Sequence, residues 1–242
     1  MRSISIAAVA ALAVATFSAS AHATTVTATF TGTVASGFDT TGVFGAPNTD
    51  LTGETFTAVF TEVDGPGVGQ YFPGFQDYLY GGTSNPGTVS PVTGVLTING
   101  FTVNFPGLEF SEVSQSTLAS GQATVAYIAE DFAFTGSGFN SDALGAQIAS
   151  FINSIMPSAD YHVPFSYTTQ ADDSALDNFN IADYSFSTGT YSALVSGSLF
   201  SNSVTVTVSK TPVPEPLTLS LFGTALAGAA ALRRRRKANT SA

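Results

Sequence analysis

The chain has 242 residues and a formal charge of −10, from 17 carboxylates against 7 Lys plus Arg. The cations are Arg2, Lys210, Arg233, Arg234, Arg235, Arg236 and Lys237, so none lies between Thr24 and Ser209; this excludes nucleic-acid binding, which needs clustered cations to displace counterions from phosphates. The absence of Cys excludes disulfide frameworks, thiolate zinc sites and cysteine nucleophiles.

Arg2 is followed by an apolar run from Ile4 to Phe17, too short for a stable bilayer span, and then by the small-x-small triplet Ala21-His22-Ala23. The pattern predicts a secretory signal peptide over residues 1–23, with the mature chain starting at Thr24; cleavage after Ala21 is the second choice.

The body, residues 24–210, is long enough for one domain with a sizeable core. Apolar and polar residues alternate in Val26-Ala28-Phe30, Phe56-Ala58-Phe60, Val95 to Ile98, Phe101 to Phe105, Val125 to Ala129, Phe165-Tyr167, Tyr184-Phe186, Tyr191 to Phe200 and Val204-Val206-Val208. Short Gly, Pro, Asn and Ser clusters between them argue for antiparallel pairing. Asn99-Gly100 is the preferred pair for a type I′ hairpin turn, and Ser187 to Thr190 predicts a second hairpin. One segment breaks the period: Leu144, Ile148, Phe151 and Ile155 fall on a helical stripe between a Ser141 cap and Pro157. The expected fold is a single antiparallel β-sandwich or jelly-roll-like domain with one amphipathic helix.

Catalytic constellations are sparse. His162 is the only histidine left after signal removal, which excludes a multi-His metal triad. No Gly-x-Ser-x-Gly elbow accompanies it, and it reads as structural, beside Tyr161 at the start of a strand. Glu109, Glu112, Glu130 and Asp131 could supply a carboxylate pair for glycoside hydrolysis, but the body lacks Trp, Arg and other substrate clamps. No catalytic residue and no cofactor is expected. For a metal, the weak candidates are Asp172, Asp173, Asp177, Asn178 and Asn180, which offer calcium hard oxygens in one loop without the EF-hand order. Such clusters also serve ordinary turns. The loop from Glu62 to Gly67 invites the same two readings. Tyr71, Phe72, Phe75, Tyr78 and Tyr80, in a Gly-rich loop, could stack against sugars or simply pack. Thr25-Thr27-Thr29-Thr31-Thr33 would suit ice contact only if adjacent strands bore matching rows, and Thr205-Thr207 is the only other short candidate.

After Lys210 come a Pro-rich spacer (211–216), an uncharged apolar run from Leu217 to Leu232, and the basic block Arg233 to Lys237 within a tail of residues 233–242. Sixteen residues at 1.5 Å rise span about 24 Å, short of a roughly 30 Å hydrocarbon core, a difference that snorkelling arginines and thinning can cover. The run is expected to be a transmembrane helix with its basic end cytoplasmic, so that the acidic body faces outward. Val213-Pro214-Glu215-Pro216, the apolar helix and the arginine block together resemble a PEP-CTERM sorting signal of exported proteins in exopolysaccharide-producing Gram-negative bacteria. The same tail pattern is also known as an ice-binding protein C-terminal segment. The resemblance implies handling by an exosortase at Pro214, Glu215 and Pro216, with Arg233, Arg234, Arg235, Arg236 and Lys237 as the basic stop, transient residence in the inner membrane, and then surface or extracellular delivery. In the body, Gly42 to Gly53 resembles a segment recurrent near the start of such proteins, without an assigned role.

These readings predict a non-catalytic cell-surface or extracellular-matrix protein. The alternatives are an exopolysaccharide-binding module, calcium-dependent or not, and an extracytoplasmic hydrolase.

Overall fold

The computed structural model describes residues 24–63, 67–84, 88–117, 123–135, 138–150, 152–185, 187–188, 190–200 and 203–212. The expected signal peptide, Pro-Glu-Pro motif, apolar tail helix and basic stop lie outside them. Among the described residues no helix is long and apolar enough to cross a membrane.

The described residues form β1 (Thr24–Thr33), β2 (Ser36–Asp39), β3 (Thr49–Asp50), β4 (Thr55–Val63), β5 (Val68–Phe72), β6 (Gln76–Gly81), β7 (Val92–Ile98), β8 (Phe101–Phe105), β9 (Phe110–Thr117), β10 (Ala123–Thr135), β11 (Gly138–Ser150), β12 (Phe165–Thr168), β13 (Ser174–Ser185), β14 (Thr190–Ser198) and β15 (Thr205–Pro212). They build a six-stranded sheet, β12-β15-β1-β4-β7-β8, and a nine-stranded sheet, β3-β2-β14-β13-β11-β10-β9-β6-β5. Strands β4, β7 and β8 pack across onto β9, β10 and β11, giving a β-sandwich-like architecture.

Alternation decides which side chains meet between the sheets. Along β4 the buried positions are Phe56, Ala58, Phe60 and Glu62, and on β1 they are Val26, Ala28 and Phe30. Phe30 sits at the centre of an aromatic cluster, with ring centroids 5.8 Å from Phe60, 6.0 Å from Tyr127 and 6.0 Å from Phe200. Burial of each such ring contributes on the order of 1.5–3 kcal/mol, and edge-to-face pairing adds to it. The first predicted hairpin is present: Asn99 and Gly100 have φ of 53° and 81°, and Ile98 pairs with Phe101. Strands β13 and β14 form the second, closing with Ser185 opposite Thr190.

The predicted helix is a correction. Residues 138–150 form β11, a central strand paired on both sides, with Leu144 opposite Ala129 of β10 and Phe179 of β13. Positions four apart share a face in either a helix or a strand, so Leu144 and Ile148 fit both periods. What decides is Ala146, buried between them as period two requires, and Gly145, which weakens a helix. Ser141 lies within this strand rather than capping a helix, Ile155 is buried in the crossing segment beyond it, and Phe151 lies outside the described residues.

Among the described residues, the outward face of the six-stranded sheet carries no ionisable side chain. On β1 it presents Thr25, Thr27, Thr29, Thr31 and Thr33; opposite Thr27, Thr31 and Thr33 stand Thr61, Thr57 and Thr55 of β4. Ser166 and Thr168 of β12 hydrogen-bond Thr207 and Thr205 of β15, at 3.1 and 2.8 Å, and Thr97 meets Thr102 at 2.9 Å. The threonine rows are therefore broader than Thr205-Thr207 alone.

The Gly42–Gly53 segment has a structural job. Asp39, fully buried, accepts backbone N–H groups from Thr41, Gly42 and Val43 on Oδ1 (3.2, 2.7 and 3.1 Å) and from Phe44 on Oδ2 (2.7 Å). That folds the chain so that the Phe44 ring meets Phe179 edge-on at 6.0 Å.

Candidate functional site

Two places gather chemistry, on opposite faces of β6. Inward-facing Asp77 is 6% exposed, whereas Tyr78 and Tyr80 point outward with near-parallel rings 5.9 Å apart. The aromatic residues expected in a Gly-rich loop thus belong to a hairpin, β5–β6. Register puts Phe72 on the outward side with Tyr78 and Tyr80, Tyr71 on the other side opposite Asp77, and Phe75 in the connecting turn.

On the same outward face, across β9 from Tyr78 and Tyr80, the nine-stranded sheet holds a shallow trough of about 340 Å³, lined by Ala126, Ile128, Glu130, Gly145, Gln147 and Asn178 among others. Across one row stand Tyr80, Glu112, Ile128, Gly145 and Asn178; across the next, Gln70, Tyr78, Ser114, Ala126 and Gln147. Gly145 keeps the floor low, since a Cβ there would stand 3.0 Å from the Asn178 amide oxygen. Glu112 and Glu130 are diagonal neighbours on β9 and β10, and burial holds both carboxyls above the ordinary range. Glycoside hydrolysis separates the pKa values of its two carboxyls into an acid and a base; here one cause moves both the same way. Glu109 instead accepts the Thr83 hydroxyl at 2.6 Å.

The inward side of β6 leads to the second place. Residues 152–164 cross from β11 to β12, and their turn brings Asp160 and His162 to Asp77: His162 Nδ1 lies 2.8 Å from Asp160 Oδ1 and 3.7 Å from Asp77 Oδ2. One oxygen each from the two aspartates and a ring nitrogen of His162 lie within 4.8 Å of one another. Asp160 Oδ1 also accepts the His162 backbone N–H at 2.9 Å, and the Tyr161 ring stacks on the imidazole at 4.1 Å. Burial raises the Asp77 carboxyl to about 6, against the pull of His162 and the Tyr161 N–H, 3.4 Å away. Burial also pushes Asp160 up, but the His162 backbone and ring, with Lys210 further off, bring it below the ordinary value.

Deeper between the sheets, Gln115 faces inward opposite Asp77 on β9, and Tyr127 and Glu62 lie beyond it. Gln115 and Tyr127 are close enough to influence each other yet make no hydrogen bond of good geometry. Burial chiefly, and Glu62 in addition, push the Tyr127 hydroxyl far up against a smaller pull from Gln115.

The proposed oxygen-rich loop is a further correction. Asp172 and Asp173 stand in or beside a turn, but β13 begins at Ser174, so Asp177, Asn178 and Asn180 belong to a strand and alternate across it. Asp177 accepts Ser198 Oγ at 2.9 Å and the backbone N–H groups of Leu199 and Phe200. Asp173 accepts the Tyr167 hydroxyl at 2.6 Å, the Gln170 N–H at 2.8 Å and the Asn153 amide at 3.0 Å. The five candidates do not share one loop, and His162, expected at the start of a strand, lies in the turn before β12. Of the Glu62–Gly67 loop, Glu62 is buried on β4 and residues 64–66 lie outside the described residues. No family model, curated protein or solved structure matches the chain.

The raised Glu112 carboxyl has a consequence for pH. Because the folded state holds this proton above the ordinary glutamate value of 4.5, folding binds protons in the window between the two pKa values, so stability falls as pH rises through it and the whole penalty is present above it. Glu112→Gln is therefore expected to melt above wild type near neutral pH, with the gap narrowing as pH falls through the raised value and closing near and below about 4.5. Melts from about pH 4 to about pH 7.5 test this, and a gap independent of pH would refute it.

Proposed function

We propose that this is an exported, non-catalytic surface protein that binds a neutral, extended polysaccharide on the outward face of its nine-stranded sheet. The observation that carries the reading is the pair of near-parallel Tyr78 and Tyr80 rings on the same sheet face as the Gly145-floored trough, one strand away from it. Aromatic rings present apolar faces to the C–H faces of sugars, and a few convergent polar groups fix orientation. Gln70, Ser114, Gln147 and Asn178 offer neutral donors and acceptors on the same face. Charge selects the ligand class: 17 carboxylates less Glu215 leave 16 in the body against Lys210, a balance of −15, which repels polyanions. Export and delivery rest on the signal peptide and the PEP-CTERM-like tail, with an exosortase-type enzyme as partner and the inner membrane as an intermediate station.

The threonine rows favour a second reading, contact with an ordered water lattice. Their uncharged face joins adjacent strands with matching hydroxyls, the condition the sequence left open.

Three measurements test these readings. In affinity electrophoresis through neutral polysaccharides, Tyr78→Ala with Tyr80→Ala is expected to weaken retention at least about ten-fold, at roughly 1–3 kcal/mol per lost aromatic contact, while Tyr71→Ala, on the hairpin's other side, leaves it unchanged; equal retention of all variants refutes the glycan face. Replacing Glu215 by Ala, or the four arginines Arg233 to Arg236 by Ser, is expected to leave unprocessed protein in the inner membrane, and normal surface delivery of both variants refutes the sorting reading. Ice reading predicts thermal hysteresis that Thr29→Tyr with Thr57→Tyr abolishes, and wild type without ice shaping or hysteresis removes that reading.

A further inference from the structure

We propose that Asp77, Asp160 and His162 form a binding site for a divalent first-row metal ion of the zinc type. The site is independent of the glycan reading, since Asp77 faces away from Tyr78 and Tyr80.

Geometry is the first support. Two ligand atoms each about 2.0–2.1 Å from a tetrahedral ion stand roughly 3.3 Å apart. The separations from His162 Nδ1, 2.8 Å to Asp160 Oδ1 and 3.7 Å to Asp77 Oδ2, bracket that value, and all three ligand atoms lie within 4.8 Å of one another, so an ion seats among them by small side-chain adjustments. Asp160 and His162 form a ready chelate, because Asp160 Oδ1 already holds the His162 backbone N–H and Tyr161 stacks on the ring. The donor set chooses the ion. Calcium and magnesium take oxygen ligands, whereas an imidazole nitrogen with carboxylates suits zinc and its neighbours.

The surroundings are the second support. The Asp77 side chain is 8% exposed, and its protein contacts are the long Tyr161 N–H bond and the Asp160–His162 pair. Its cross-strand neighbour Gln115, fully buried on the same inward face, has a side-chain amide without a hydrogen bond of good geometry. A carboxylate taken so far out of water is stabilised by an ion that brings two positive charges. The outer side remains open: the His162 and Asp160 side chains are 24% and 33% exposed, which leaves a coordination position for water or for a ligand. A bound ion would tie the 152–164 crossing segment to β6 and so join the connection between the two sheets to the strand that carries the tyrosine pair.

The test uses the full chain solubilised in detergent, titrated calorimetrically with zinc chloride, then with calcium chloride, and melted in each against sodium chloride of equal ionic strength. One zinc ion per chain is expected, with a melting temperature above that in calcium or sodium. Asp77→Asn and His162→Gln are each expected to weaken zinc binding at least about ten-fold, as loss of one of three protein ligands requires. Since Asp77 is buried, circular dichroism checks the variants, and a variant that has lost its fold is replaced by the more exposed Asp160→Asn. Cobalt on wild type gives an independent readout: visible d–d absorption that zinc abolishes supports the site. Zinc binding that survives in all the folded variants, calcium acting as strongly as zinc, or no cobalt absorption overturns it.

Discussion

A carboxylate in this body has one lysine and one histidine to turn to, so the fold depends on neutral donors for its anions. Asp39 takes four backbone N–H groups and pins the loop that seats Phe44; Asp177 takes two and a serine hydroxyl, fastening β13 to the end of β14. Asp173 gathers a tyrosine hydroxyl, an amide and a backbone N–H where the crossing segment nears β12. Hydrogen bonds to an ionised acceptor are roughly twice as strong as neutral ones, and leaving a buried charge unmet is costly. These aspartates therefore act as staples, each placed where the chain leaves regular ladder pairing.

The same constraint sorts the surfaces. With few cations to balance them, carboxylates on a flat sheet face would repel one another across strands, and among the described residues the outward face of the six-stranded sheet carries none. Threonine fills it, with a branched side chain suited to the pleat and a hydroxyl that bonds to the next strand. The other outward face is mixed: aromatic at β6, small and amide-bearing at the centre, with Glu112 and Glu130 raised by burial. One sandwich thus presents two sides of unlike chemistry.

Much of the sandwich was legible where one face of a strand is apolar and the other polar, as in β1, β4, β7 and β15, because a period of two then has no competitor. Asn99-Gly100 was legible for a different reason, since positive φ at both positions admits few residue pairs. Strand β11 misled because Leu144 and Ile148 satisfy two periods at once. Strand β13 misled because its Asp and Asn residues carry turn chemistry in sequence yet are held in a ladder by β11 and β14 on either side. Central strands can be polar when both neighbours supply the pairing, and no local pattern records that.

The metal cluster lay beyond sequence reasoning for a geometric reason. Asp160 and His162, two apart, were visible as a pair, but nothing local joins them to Asp77, 83 residues before Asp160 in a strand whose outward tyrosines drew the attention. What joins them is the tertiary fold: β6 is next to the edge of the nine-stranded sheet, and the segment that leaves β11 for β12 in the other sheet brings Tyr161 and His162 to Asp77 on the way. A crossing segment without helix or strand has few ladder bonds to hold it, so its register rests on side chains, namely buried Ile155, Met156 and Tyr161 and the contacts of Asp160 and His162. An ion at Asp77 would add a directional bond at the point where apolar packing alone fixes depth but not direction. That places the most specific chemistry of the inward face beneath the aromatic pair of the outward one, on neighbouring residues of a single strand.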